Sequence, residues 1–221
     1  MSVVLLSLLS AALPSSEPPV PERWHAWPVA RVFPSSVPGT SPSGARVTYV
    51  LAGVAPESPC RVAFQPGVAR LLRGCVTALR ATYADSTQTF VATVGIAVLT
   101  GPDALRPLDR LTDDLPLTLA GYLPAGSPET GTGPLPDGRP GTGAGRLPTV
   151  RPVAFPGGPA ERFGESQYVT GALISSNDAY VVATAAGYAD GRPYQPGELV
   201  ARRLGDTARR LATALYGSLT R

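Results

Sequence analysis

The stretch from Phe90 to Leu99 constrains this fold more than any other part of the chain. Read at a period of two, Phe90, Ala92, Val94, Ile96 and Val98 point one way, and Val91, Thr93, Gly95, Ala97 and Leu99 the other. Both sets are apolar or small, so neither side suits water. Such a strand belongs at the centre of a sheet covered on both faces. Its partner is the β-rich run 76–84, and Asp85-Ser86-Thr87-Gln88 reads as the hairpin turn between them.

Similar patterning places the other elements. Val47-Thr48-Tyr49-Val50-Leu51 reads as a strand, and 56–60 as a turn. Val68, Leu71, Leu72 and Cys75 recur at helical spacing and predict a short helix, with Pro66 in its first turn and Gly74 at its end. Leu108, Leu111, Thr112 and Leu115 predict another, beginning at Pro107. Residues 168–175 and 180–188 form a second hairpin, turning at Ser176-Asn177-Asp178. A helix over 197–219 closes the chain. Its apolar stripe is Val200, Leu204, Ala208, Leu211, Leu215 and Leu219, with Arg202, Arg203, Asp206, Arg209, Arg210 and Thr213 mainly opposite. The expected class is α+β: an antiparallel sheet built from two hairpins, helices mainly on one face, and a long C-terminal amphipathic helix.

The start of the chain has a different character. From Val3 to Leu13 it is nearly all aliphatic, with no basic residue before Arg23. A segment without a polar face is not a soluble surface helix. It reads as a truncated signal peptide or membrane anchor over 1–14, with small residues that suit cleavage after Ala12. The alternative is a hydrophobic first strand tucked into the fold. Residues 15–45 are rich in Pro and Ser and read as an extended tether, fastened to the domain by Trp24 and Trp27. The single α+β domain is expected over 46–221, interrupted by a disordered loop at about 124–159, where half of the residues are Gly or Pro.

Composition narrows the chemistry. A net charge of +3, with basic residues dispersed, gives no nucleic-acid footprint. All 19 basic residues are Arg and Asn177 is the sole Asn, the mark of a GC-rich genome. Cys60 and Cys75 read as a structural disulfide; a buried free pair and a redox pair are the alternatives. His25, the one histidine, lies in the tether, far in sequence from any Ser-Asp pair. Without lysine there is no Schiff base and no phosphate-binding GK[ST] loop. The sequence therefore predicts no catalytic residue, no metal site and no cofactor. Carboxylates remain: Asp109, Asp113 and Asp114, with Asp178 and Asp190 bracketing a strand.

The layout of hydrophobic start, Pro-rich spacer and short α+β domain resembles uncharacterised secreted or membrane-anchored actinobacterial proteins. The likeness rests on that layout, on the stretch from Trp24 to Pro34, on Arg80-Ala81-Thr82-Tyr83 and on the stretch from Val91 to Leu99. It implies an envelope protein and brings no function with it. The expectation is a non-catalytic extracytoplasmic binding or accessory module. Its partner would be an envelope protein or a membrane surface, met through Trp24, Trp27, Arg202, Arg203, Arg209 and Arg210. A carboxylate-dependent wall hydrolase and a cytosolic scaffold are the alternatives.

Overall fold

The computed structural model describes residues 17–41, 43–101, 149–175, 179–195 and 202–221. Six strands form one curled antiparallel sheet in the order β1-β2-β3-β4-β6-β5. They are β1 (Ser36–Thr40), β2 (Arg46–Ser58), β3 (Cys75–Asp85), β4 (Phe90–Leu99), β5 (Tyr168–Ser175) and β6 (Tyr180–Tyr188). The class is α+β, as the patterning requires, and the strands of both hairpins pair, the turn expected at 176–178 lying outside the described residues. They join through β4 and β6, which pair from Phe90–Tyr188 to Val98–Tyr180.

All ten residues of β4 are buried. Phe90, Ala92, Val94, Ile96 and Val98 face a core closed by the C-terminal helix, here α5 (Arg202–Thr220). Leu204, Ala208, Leu211, Leu215 and Leu219 all turn inward, as the stripe predicts. Each large side chain buried this way contributes about 1.5–3 kcal/mol. Val91, Ala97 and Leu99 face a second core, under single-turn helices α3 (Cys60–Ala63) and α4 (Pro66–Ala69) and the segment 149–163. The helix expected across Val68–Cys75 is thus shorter. Gly74 adopts φ +75 and turns the chain, so that Cys75 already belongs to β3. Cys60 and Cys75 are joined in a disulfide, with Cα atoms 6.3 Å apart.

Two parts of the expected layout change. The first is 124–159. Its early part, to 148, lies outside the described residues, as does the helix expected from Pro107. Residues 149–159, however, lie against the domain. Val150 is fully buried, and its side chain occupies the space over Gly95, where a Cβ would come within 2.5 Å of Val150 Cγ2. Thr149 does the same over Gly171. The backbone of Val153 is satisfied by buried hydroxyls: its N–H donates to Thr93 Oγ1 (2.9 Å), and Thr82 Oγ1 donates to its carbonyl (2.7 Å). Gly and Pro here mark an irregular path, while the sheet supplies the partners that such a backbone needs.

The second change is the tether. Residues 17–41 are folded, as single-turn helices α1 (Arg23–Ala26) and α2 (Val29–Val32) followed by β1. Trp27, Val32, Phe33 and Val37 enter the core, with Trp24 packed against it. Tyrosines from the sheet peg this segment. Tyr83 donates its hydroxyl to Pro34 O (3.1 Å), Tyr49 to Thr40 O (2.8 Å) and Tyr180 to Val20 O. Arg23, buried, donates Nη1 to the carbonyls of Leu219 and Arg221, both at 2.8 Å, and so caps the end of α5. The prolines that suggested an extended spacer instead set the entries to short helices, such as Pro28 before α2.

Replacing Arg23 with Ala leaves those last carbonyls without a charged donor. We expect a loss of about 2–3 kcal/mol in urea unfolding; an unchanged midpoint would show that the N-terminal segment contributes nothing.

Burial pushes the Tyr83 hydroxyl above the usual tyrosine range. Burial, and then the Asp85 charge, do the same for Tyr49 against a lowering bond from Thr207. Burial also raises Tyr180, opposed by Trp24 and Arg23. The folded protein thus holds these protons more tightly than the unfolded chain. This stability is fully present below about pH 10, the ordinary tyrosine value, and is lost as pH rises beyond it. In an alkaline titration followed at tyrosinate absorbance, these tyrosines should ionise together with loss of circular dichroism. A smooth titration near the ordinary value, with the fold intact, would contradict this pegging.

Candidate functional site

Among the described residues a concavity lies at the turn end of the sheet. Asp85 builds that turn. Its Oδ1 accepts from the backbone N–H groups of Thr89 and Phe90, both at 2.9 Å, and its Oδ2 from the hydroxyls of Thr87 and Thr89. Gln88 closes the turn by donating its N–H to Asp85 O (2.8 Å), with φ +56. Ser86 ties the turn to β2: its N–H donates to Thr48 O (2.8 Å). The opposite wall is the 155–159 stretch, where Phe155 lies over Gly53 and its N–H donates to Ala160 O (3.2 Å).

Two adjoining hollows open between these walls. One, of about 410 Å³, is lined by Val50, Leu51, Phe155, Pro156 and Pro159 on the apolar side and by Asp85, Ser86 and Gln88 on the polar side. The other, of about 560 Å³, shares Gln88, Gly158 and Pro159 and continues to Tyr188, Asp190 and Arg192. Val50 is 49 % exposed there. At the far rim Arg192 stacks on the Tyr188 ring at 3.8 Å and pairs with Asp190 at 3.6 Å. Both charges are exposed, so the pair contributes at most about 1 kcal/mol. The cleft is a largely apolar trough with polar edges at Ser86 and Gln88 and an exposed Arg192–Asp190 pair at its far rim, suited to holding a ligand by shape and hydrogen bonds.

The acids of this cleft are committed. Asp85 is 2 % exposed, with its acceptor positions filled by the turn, and Asp190 faces Arg192. Asp109, Asp113, Asp114 and Asp178 lie outside the described residues. His25 is exposed on α1 with its ring against Trp24, at the end of the domain away from the cleft. Among the described residues no group of three metal-ligating side chains gathers, and no helix is long and apolar enough to cross a membrane.

The described candidate partner residues differ in their exposure. Trp27 is only 6 % exposed and lies under the guanidinium groups of Arg23 and Arg31, so it is a core residue and not a contact surface. Trp24 is half-buried beside it. Arg210 is exposed and donates to Thr40 Oγ1 (3.3 Å), while Arg209 is half-buried, with Nε and Nη2 enclosed. The side chains of Arg202 and Arg203 lie outside the described set. The cleft wall at 155–159 is hard to read from sequence because Gly and Pro mask its contacts; the threonines of β3 and β4, buried beneath it, are the one sequence signal of it.

No protein-family model, curated protein or solved structure matches the chain.

Replacing Asp85 with Ala would strand two backbone N–H groups at the cleft edge. We expect a cost of about 2–4 kcal/mol, with amides 86–90 exchanging faster in NMR. A silent substitution would show that the turn holds without its carboxylate.

Proposed function

We propose that the chain is a non-catalytic, extracytoplasmic binding or accessory module of a cell envelope, membrane-anchored or secreted, whose ligand or partner engages the turn-end cleft. The observation that carries this reading is the Cys60–Cys75 disulfide, since such bonds persist mainly in oxidising compartments. The aliphatic stretch before Pro14 supports it from the sequence. The cleft supports the binding half: its carboxylates serve the fold, and what it offers a ligand is an apolar trough with amide and hydroxyl edges.

Fractionation of cells expressing the protein at native level tests the placement. The expected result is recovery from the membrane or the medium, with both cysteines inert to maleimide until reduced. Recovery from the cytosol with two reactive thiols would overturn it. The binding half is tested by Val50→Arg, which should abolish in-cell crosslinking through a photoprobe at Gln88 while leaving the melting temperature unchanged; crosslinks that persist would remove the cleft from the reading.

A further inference from the structure

The described fold begins nearer the aliphatic stretch in sequence than an extended tether would allow. As an extended spacer, residues 15–45 would reach about 95 Å at roughly 3.1 Å per residue. The fold instead takes hold of the chain by Glu17 and Pro18, whose carboxylate and carbonyl engage Arg31 and Arg23 respectively. From Leu13 to Glu17 the chain spans at most about 14 Å.

The place of entry is equally defined. Tyr180, which accepts the N–H of Trp24 (3.2 Å), opens β6 opposite Val98. Arg23 sits on the last carbonyls of α5. The chain therefore enters at the end of the sheet opposite the cleft, and β4, at about 3.3 Å per residue, sets the two ends about 30 Å apart.

The disulfide-closed loop lies at this same end, since Cys75 pairs with Leu99 and Thr100 N–H donates to Gly74 O (2.9 Å). Between Glu57 and Asp85 the chain has no acid, and Arg61, Arg70 and Arg73 are all exposed. Val62 and Val76, beside the disulfide, are 48 % and 57 % exposed. Of the acids nearby among the described residues, Glu17 is paired with Arg31, Glu57 accepts from Thr77 Oγ1 (2.6 Å) and Glu22 is exposed. Guanidinium groups beside bare aliphatic side chains match an anionic lipid surface, with phosphates outside and acyl chains beneath.

We propose that this end of the domain seats on the anionic bilayer that holds the leader, through Arg61, Arg70 and Arg73 with Val62 and Val76, and presents the cleft outward, away from the membrane. The proposal rests on the membrane-anchored form of the reading above.

The test uses the full chain in vesicles of phosphatidylcholine, with or without phosphatidylglycerol, read by headgroup spin-label quenching of tryptophan in a Val76→Trp variant. Quenching should rise when phosphatidylglycerol is present. R61E/R70E/R73E in the same background should lose that rise, each arginine contributing on the order of fivefold to seating. R73E alone serves if the triple variant loses its circular dichroism. Equal quenching in both vesicles, or a rise that survives charge reversal, would overturn the seating. So would binding of a soluble anionic polymer by the loop with no phosphatidylglycerol-dependent rise, which would assign the loop to a wall polymer. If the chain leaves both vesicle types, the anchored reading itself fails, and the seating fails with it.

Discussion

Burial of β4 on both faces is the constraint from which the rest of the structure follows. A strand with ten buried residues needs cover on two sides, and one amphipathic helix supplies only one. α5 takes the side of Phe90 and Ile96. The side of Val91 and Leu99 is closed by the disulfide loop and by 149–163, which contain no long helix at all. An irregular chain can cover a sheet only if its backbone groups find partners there. The hydroxyls of Thr82 and Thr93, buried on that face, provide them.

The helix face shows the same economy. α5 contacts β5, β6, β1 and β4, and the cover of that face is completed by 17–33. This segment is fixed at both ends of its path: Arg23 on the carbonyls of α5, and Tyr83 on Pro34 beside β1. The two termini of the described chain are thereby locked together, and the opposite end of the sheet is left to form the cleft.

Much of the fold could be read from residue patterns alone. The alternation in β4, the paired strands of both hairpins, the stripe of α5 from Leu204 on and the disulfide rest on local periodicity or spacing, and appear as expected among the described residues. What could not be read depends on distant partners. Pro18, Pro28 and Pro34 look the same in a solvated spacer as in a docked one. The difference lies in Tyr83, Tyr180 and Arg23, whose roles only the tertiary structure shows. The stretch 149–159 misled in the same way, because Val150 and Phe155 are few among Gly and Pro and find their places over Gly95 and Gly53. The cleft is hidden in the sequence for the same reason, since this stretch forms one of its walls.

The two-faced cover of β4 therefore requires residues 17–40 to be part of the folded core. Native-state hydrogen exchange measures this most directly. The amides of Trp27, Phe33 and Leu51, which donate to Arg23, Val29 and Ser35, should exchange as slowly as those of β4. Exchange of Trp27 and Phe33 at the rate of an unstructured peptide, with β4 still protected, would contradict it.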